Sequence, residues 1–283
     1  MLKKIVILLE MIKFEHTVFA LPFAFMGGFL SARGVPGPAT LAWIVLAMVG
    51  ARTCAMGFNR IVDRKFDEAN PRTASRALPA KTVKLSEAWV MVILAGGVFF
   101  FACYNLNQLT LILSPFALAL TLFYSLTKRF TWLCHVFLGV ALAFSPLGGW
   151  VAVSGTLQNY PFVLSAGVLF WVAGFDTVYA CLDADFDAQS GLFSLPSRFG
   201  RRNAFRIAVL FHVIAFALFV LTGIIAGLNY FYYIGILFTG AALFYQHFVV
   251  TPRDLSKIQL SFFTLNGLIS LTLFVATWLS LVV

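Results

Sequence analysis

Charged residues are scarce in this chain of 283 residues. Asp, Glu, Lys and Arg together make up 11% of it, whereas a soluble globular domain carries roughly 25%. That shortage excludes an ordinary soluble domain. Hydrophobic residues account for 61% and include 32 phenylalanines, and they occur in runs close to the ~20 residues that cross a bilayer as a helix. The composition therefore predicts an all-α, polytopic membrane protein.

Cysteine is scarce as well, and its spacing excludes a paired metal-binding motif. The four cysteines show no Cys-x-x-Cys spacing, and each lies in or beside an apolar run. We expect them to be small buried side chains, with no disulfide or zinc site. The four histidines, His16, His135, His212 and His247, are scattered at the ends of apolar runs. We interpret them as interfacial or packing residues.

The N-terminus lacks the features of a clean signal peptide. Lys3 and Lys4 precede a short apolar run, but Glu10, Lys13 and Glu15 interrupt it. No small-residue cleavage site follows. This pattern favours an amphipathic helix at the membrane surface that leads into the first span.

Nine apolar segments predict nine transmembrane helices around a central cavity, in a single domain that covers residues 1–283. Two of the segments contain a proline, Pro115 or Pro146, which membrane helices tolerate as a kink. The predicted segments are 16–32, 40–58, 86–104, 108–124, 135–153, 161–181, 204–226, 229–250 and 259–282.

The net charge of +9 is distributed unevenly over the connections between these segments. With nine spans and a cytoplasmic N-terminus, nearly all of the 20 Lys and Arg residues fall on the cytoplasmic side, as the positive-inside rule requires. We therefore expect a multi-pass protein of the cell inner membrane, and no nucleic-acid partner is needed to explain the basicity. The basic connections are 59–85, 125–134, 182–203 and 251–258.

Two acidic clusters end apolar segments on this predicted cytoplasmic side. Asn59, Asp63 and Asp67 share one helical face, and Asp183 and Asp187 repeat the same spacing. Carboxylates at a membrane boundary cost free energy and need partners. Mg²⁺ prefers oxygen ligands and takes one or two carboxylates together with phosphate oxygens. The two clusters therefore predict a site that holds one diphosphate through Mg²⁺ across the central cavity.

Other ionisable residues fit the same site. Asp176 falls on the helical stripe of Asp183, whereas Asp185 points to the loop or to water. Basic side chains in the loops can neutralise phosphate or hold an anionic second substrate. These candidates are Arg72, Arg76, Lys128, Arg129 and Arg198.

The first cluster resembles a signature of the UbiA superfamily of intramembrane aromatic prenyltransferases. That signature is Asn-Asp-x-x-Asp-x-x-x-Asp followed by Arg-Thr-x-x-Arg-Pro-Leu-Pro. The chain differs at Arg60, where the family has Asp, and at Ala77, where it has Pro. Because Arg60 lies about 100° from the face of Asn59, Asp63 and Asp67, the metal face should survive. The matching residues are Asn59, Asp63, Asp67, Arg72, Thr73, Arg76, Leu78 and Pro79.

Later elements extend the resemblance. The family's Tyr-x-x-x-Lys element matches Tyr124 to Lys128, and its second signature matches Phe175-Asp176-Thr-Val-Tyr179 followed by Asp183 and Asp187. Metal ligation is implied for Asn59, Asp63, Asp67, Asp183 and Asp187. Substrate binding is implied for Asn59, Arg72, Tyr124, Lys128, Tyr179 and Arg198. Catalytic roles are implied for Asp63, Asp67, Asp176, Asp183 and Asp187.

The resemblance implies a Mg²⁺-dependent reaction in quinone biosynthesis. A polyprenyl diphosphate enters from the bilayer, its diphosphate leaves, and a small aromatic acid attacks the allylic cation. Arg72 would bind the acceptor carboxylate, while Lys128 and Arg198 would bind diphosphate oxygens. Asp176 would orient the acceptor or stabilise the cation. The favoured acceptor is 4-hydroxybenzoate.

Three alternatives stay open at this stage. The form Asn-Arg-Ile-x-Asp followed by Asn-Pro-Arg-Thr also resembles family members that prenylate 1,4-dihydroxy-6-naphthoate for menaquinone. A CDP-alcohol phosphotransferase is disfavoured because the Asp-Gly and Ala-Arg elements of that family do not occur in register. A secondary transporter is disfavoured because the acidic residues gather at one face and not at the membrane midplane.

Overall fold

The computed structural model describes residues 7–8, 10–12, 19–157 and 161–283. Within these ranges the chain is helical and contains no strand. Residues 19–157 and 161–283 form ten α-helices, and a π-helix at Leu260–Leu265 leads directly into the last of them. The helices are α1 Leu21–Ala32, α2 Pro38–Ala69, α3 Leu85–Leu106, α4 Gln108–Thr127, α5 Cys134–Ser154, α6 Pro161–Ala180, α7 Ala184–Gln189, α8 Leu195–Ala226, α9 Tyr230–Val249 and α10 Asn266–Val282.

The prediction of an all-α, polytopic membrane protein is confirmed. Seven helices of the described residues are long and apolar enough to cross a membrane. Each of the nine predicted segments corresponds to a helix, but α1, with 12 residues, and α9 are not among those seven. The predicted N-terminal amphipathic helix falls largely on residues outside the described ranges, as does His16.

Helix α2 runs well past the apolar segment that predicted it, and this extension carries the first acidic cluster. Pro38 stands in its first turn, where a missing backbone N–H costs nothing. The helix ends at Ala69 because Pro71 disfavours helical geometry in the residue before it. Accordingly Asn70 is extended, with φ −91° and ψ 117°. Asn59, Asp63 and Asp67 therefore lie on the last turns of one continuous helix.

The second acidic cluster is built differently from the prediction. We expected Asp176 and Asp183 on one helical stripe, but α6 ends at Ala180, and Asp183 is the N-cap of the short helix α7 with φ −105° and ψ 5°. The single-stripe interpretation was wrong because the backbone turns at residues 181–183. The spacing of Asp183 and Asp187 survives, since the Asp187 N–H donates to the Asp183 carbonyl at 2.8 Å.

Helix α8 begins before the apolar segment that predicted it and contains a kink near its start. Gly200 has φ 76° and ψ 156°, a conformation open to glycine but strained for other residues. Arg198 precedes the kink and Arg201, Arg202 and Asn203 follow it, so the apolar run begins only near 204. Ser194 caps this first turn by accepting a hydrogen bond from the Ser197 N–H.

Glycines set the distance between α1 and α5. A Cβ built at Gly149 would lie 1.9 Å from the Ala24 carbonyl oxygen, and one at Gly27 would lie 2.0 Å from the Pro146 carbonyl oxygen. Small residues at such crossings let membrane helices approach to backbone contact. This crossing places both helices against the central cavity.

Candidate active site

A cavity of about 1000 Å³ occupies the centre of the bundle. Its walls include α2 from Ile44 to Asp67, a stretch of about 35 Å at ~1.5 Å per residue. The greater part of this wall is apolar. Apart from Glu10 and Arg52, the charged residues that line the cavity gather where α2, α4 and α6 end and where α5 and α8 begin. We call this region the acidic end; it is formed by residues 59–76, 124–135 and 176–195.

Loop contacts hold the acidic end together. The Phe193 N–H donates to the Lys128 carbonyl at 2.7 Å, and the Cys134 thiol donates to the Phe193 carbonyl at 3.4 Å. The segment before α8 is therefore fixed to the loop between α4 and α5. These contacts bring together two stretches of sequence that carry different parts of the predicted site.

The first acidic cluster is buried in the wall of the cavity. Asp63 is 4% exposed and faces two basic side chains, with Lys128 Nζ at 3.0 Å and Arg129 Nη2 at 3.2 Å. The Asn59 amide donates to Asp63 Oδ2 at 3.1 Å. Lys128 thus lies at the cavity as predicted, and Arg129 stands beside it.

The two carboxylate oxygens of Asp67 have different surroundings. Its Oδ1 accepts from Arg76 at 2.7 Å, while its Oδ2 is buried and has no hydrogen-bond partner among the described residues. A buried carboxylate oxygen without a donor costs free energy. Thr73 fixes the backbone here by donating to the Asp67 carbonyl at 3.0 Å.

The second cluster is tied to the loop that follows the first. Arg72 contacts both oxygens of Asp183, with Nε to Oδ1 at 2.8 Å and a second contact from Nη2 to Oδ2. Asn70 donates to the same Oδ1 at 2.9 Å. Burial alone would raise the pKa of Asp183, but the hydrogen bonds and charge of Arg72 outweigh it and hold that pKa below its usual value. Asp183 therefore stays ionised.

Asp187 lies in a different electrostatic setting. Burial raises its pKa, and the nearby charge of Asp183 adds to this rise while Lys128 opposes it. A carboxylate whose ionised form is disfavoured by its surroundings gains most from an added cation. Asp187 lines the same cavity as Asp63, Asp67 and Asp183.

Arg60, the residue that departs from the family signature, is 9% exposed and also reaches the cavity. Its Nε donates to the Met11 carbonyl at 3.2 Å, and its Nη1 lies 3.5 Å from Asn59 Oδ1. Arg60 therefore fixes the chain near Met11 against α2 and orients the Asn59 amide. In this arrangement Asn59 bridges two side chains, since its Oδ1 accepts from Arg60 and its Nδ2 donates to Asp63.

The aromatic residues of the prediction are both at the cavity. Tyr124 and Tyr179 line it, and the Tyr179 hydroxyl accepts from Arg72 Nη1 at 3.4 Å. The Tyr179 ring also packs against Phe262 of the π-helix, with ring centroids 4.3 Å apart.

The structure does not bring Arg198 to this site. Only the N-cap of α8, Ser194, reaches the cavity, and the first turn then carries Arg198 onto the exposed surface. The expectation that Arg198 contacts the diphosphate is therefore not met in this arrangement. Asp185, which was expected to face the loop or water, is exposed and pairs with Arg201 at 2.7 Å.

Sequence reasoning missed His135. Its Nδ1 lies 2.7 Å from Asp176 Oδ2, and both residues line the cavity. A single histidine in the first turn of a helix carries no spacing signal, so the sequence offered no reason to separate it from the other three.

The donor set of the acidic end suits Mg²⁺ bound together with phosphate. No group of three or more His, Cys, Asp and Glu side chains within the described residues forms a ready metal cage, because each paired carboxylate is turned toward a basic partner. Mg²⁺ rarely uses an all-protein cage and takes one or two carboxylates plus phosphate oxygens. A bound cation would interact with Asp67 Oδ2, which has no hydrogen-bond partner among the described residues, and would stabilise the ionised form of Asp187, whose pKa is raised.

Comparison with known proteins gives a consistent result. The model of the UbiA prenyltransferase family matches residues 20–268. The 4-hydroxybenzoate octaprenyltransferase of Shewanella woodyi is 33% identical over 248 residues, covering 87% of this chain and 86% of the relative. The protein of the same name from Citrobacter koseri is 32% identical over 253 residues, covering 89% and 87%. The resemblance inferred from the signatures is confirmed.

Solved structures share the fold. The apo structure of a UbiA homolog from Aeropyrum pernix K1 has a TM-score of 0.85 at 34% identity, covering 93% of this chain and 96% of the other. A UbiA homolog from Archaeoglobus fulgidus bound to GPP and Mg²⁺ has a TM-score of 0.75 at 17% identity, covering 98% and 100%. At 17% identity, the similarity to the Archaeoglobus fulgidus protein shows a shared fold.

Proposed function

The chain belongs to the UbiA prenyltransferase family, and on that basis we propose that it transfers a polyprenyl group from a polyprenyl diphosphate to an aromatic acid in quinone biosynthesis. The favoured acceptor is 4-hydroxybenzoate, the acid in the names of the curated relatives. The proposal treats residues 1–283 as one prenyltransferase domain.

One observation carries the proposal. Carboxylates from two separate parts of the chain, Asp63 and Asp67 on α2 and Asp183 and Asp187 at α7, line the same end of one cavity. Most of the remaining wall is apolar, over a length that suits an isoprenoid tail, and Arg52 is a charged residue within it. A polar end for the diphosphate and an apolar wall for the hydrocarbon match the two halves of such a substrate.

The residues of the acidic end divide the work of holding the diphosphate. Asp63, Asp67, Asp183 and Asp187 would hold Mg²⁺, with Asn59 oriented beside them, and the ion would neutralise the diphosphate and make it a better leaving group. Lys128, 3.0 Å from Asp63, is placed to exchange that carboxylate for a diphosphate oxygen.

The cavity wall protects the reaction after the diphosphate leaves. The C–O bond to the diphosphate breaks, a C–C bond forms to the aromatic ring, and the ring then loses a proton, which the released diphosphate can accept. Leu113, Leu138 and Leu142 line the cavity and exclude water that would otherwise capture the allylic cation. Asp176 and Tyr179 also line the cavity, where they can orient an acceptor ring, and Arg72 is placed to attract its carboxylate.

Lipid access follows from two side chains on α4. Phe116 is 68% exposed and Leu120 44% exposed, yet both line the cavity. In a bilayer these residues face acyl chains, so a polyprenyl tail can pass beside them without crossing water.

The proposal includes an orientation. All nine apolar helices cross the inner membrane, with the N-terminus and the acidic end on the cytoplasmic side. The support for it is the positive-inside rule, since the basic residues lie mainly in the connections at the acidic end. This orientation gives a water-soluble aromatic acid direct access to the site.

Product formation tests the proposed function. Purified protein in lipid is supplied with a labelled polyprenyl diphosphate, Mg²⁺ and either 4-hydroxybenzoate or 1,4-dihydroxy-6-naphthoate. We expect a prenylated product with 4-hydroxybenzoate and its loss on adding EDTA. Turnover of the naphthoate alone would assign the menaquinone alternative, which the form of the first signature keeps open. No product with either acid, or product unchanged by EDTA, would refute the proposal.

A further inference from the structure

His135 connects three elements of the acidic end. It stands in the first turn of α5, is 2% exposed, and lines the cavity. Its Nδ1 is 2.7 Å from Asp176 Oδ2 on α6. Its Nε2 is 3.3 Å from the backbone nitrogen of Leu195, the first residue of α8.

The backbone contact fixes the hydrogen positions on the ring. The Leu195 N–H can only donate, so Nε2 must present its lone pair. A neutral imidazole with a bare Nε2 carries its hydrogen on Nδ1, and that hydrogen is donated to the Asp176 carboxylate. Both ring nitrogens are then occupied. His135 has no nitrogen left to accept a proton from a substrate, which excludes it as a general base here.

We propose that His135 is a positioning residue that holds Asp176 toward the acceptor and the developing cation. This inference rests on the proposed function. One carboxylate oxygen of Asp176 is taken by the ring, while the side chain keeps 23% exposure at the cavity. Without the Nδ1 hydrogen, the carboxylate is free to rotate away from the acceptor.

The same ring links Asp176 to the segment that follows the second acidic cluster. Leu195 comes directly after Ser194 and Phe193, and Phe193 is held by the Lys128 carbonyl and by the neighbouring Cys134. His135 therefore sets the position of Asp176 relative to the loop that carries Lys128, which is the side chain placed at the diphosphate.

The chemistry of the two contacts defines an informative pair of variants. A glutamine amide supplies one acceptor and one donor, so in His135→Gln the oxygen can accept from Leu195 while the NH₂ donates to Asp176. In His135→Phe a ring of similar size fills the space but makes neither contact. His247→Gln is the matched control, because His247 pairs with His212 at 2.8 Å and does not line the cavity.

Steady-state kinetics of prenyl transfer give the first test. We expect His135→Phe to lower kcat by about 10- to 100-fold, the effect of roughly 1 Å of misplacement, with KM for the prenyl diphosphate unchanged. His135→Gln should stay within about threefold of wild type, since it restores both contacts. His247→Gln should match wild type. Wild-type kcat in His135→Phe would overturn the inference, and so would equal losses in the Phe and Gln variants.

Nitrogen-15 NMR of the histidine rings gives a second test that needs neither turnover nor a folded Phe variant. The chain has four histidines, and the signal lost in His135→Gln identifies the ring. We expect a protonated Nδ1 and a bare Nε2, with a change in the Nδ1 signal in Asp176→Leu. A ring protonated at Nε2 would overturn the inference. If the spectra show a protonated Nδ1 and a bare Nε2 on His135 but the wild-type protein transfers no prenyl group, the proposed function fails instead.

Discussion

Replacing Gly149 by alanine should destabilise the bundle and disturb the cavity. The added Cβ would lie 1.9 Å from the Ala24 carbonyl oxygen, whereas ordinary contact begins at 3.4 Å. The helices α1 and α5 must therefore separate locally by about 1.5 Å. The clash is between a Cβ and a backbone carbonyl oxygen, and neither atom moves when a side chain changes rotamer.

The size of the effect follows from two opposing terms. Overpacking of a tight contact costs about 1–3 kcal/mol, and the upper end applies because a backbone must move. Replacing glycine by alanine within a helix recovers up to about 1 kcal/mol. Because the entropy of unfolding is about 2.1 cal/mol/K per residue, the net loss of about 2 kcal/mol corresponds to a melting temperature lower by about 3–4 °C for a chain of this size.

The neighbouring glycine provides the control. Gly148 lies on the same helix, but a Cβ built there would come within 4 Å of no atom in the described part of the chain. Thermal unfolding in one detergent should show Gly149→Ala melting several degrees below wild type, while Gly148→Ala melts at or above it. Equal melting temperatures for the two variants would refute the geometry of the crossing between α1 and α5.

Two other predictions concern charges at the acidic end. Arg72→Ala should lower kcat/KM for prenyl transfer by about 10- to 100-fold, because a hydrogen bond to a charged group contributes about 1.5–3 kcal/mol. Arg198→Ala should leave kcat/KM unchanged. A loss in Arg198→Ala larger than that in Arg72→Ala would show that Arg198 does act at the site. The pKa of Asp183 is lowered because the hydrogen bonds and charge of Arg72 outweigh the effect of burial. The ionised Asp183 therefore stabilises the fold at pH values above the ordinary aspartate pKa of ~3.9. This stabilisation is lost as the pH falls through the lower pKa of the folded state. Melting measured from neutral to acid pH should therefore fall further in wild type than in Asp183→Asn, and parallel curves would contradict the assignment.

Sequence reasoning predicted the membrane class and the first acidic cluster because both depend on local periodicity. Apolar runs define helices whatever they pack against, and the spacing of Asn59, Asp63 and Asp67 gives one face on any continuous α-helix. The structure keeps them on α2. The same argument failed from Asp176 to Asp183, because it assumed a helix where the chain turns after Ala180.

The parts that escaped prediction depend on tertiary contacts. Arg198 carries the right charge in the right loop, but the direction of the first turn of α8 decides that it faces outward. His135 became significant only when α6 and the start of α8 met around its ring. Arg60 departs from the family signature, and its contact with the Met11 carbonyl joins residues far apart in sequence. Hydrophobic periodicity within one segment carries no information about contacts between distant segments.

Prenyl transfer by single-carboxylate variants tests the central claim that both acidic clusters act on one diphosphate. Asp63→Asn and Asp187→Asn come from different clusters, and Asp185→Asn is a control from the second motif, since Asp185 is exposed and pairs only with Arg201 among the described residues. Product is measured at equal amounts of folded protein. The account predicts losses of at least about 100-fold in Asp63→Asn and Asp187→Asn, and wild-type turnover in Asp185→Asn. Retained activity in either of the first two variants would contradict it.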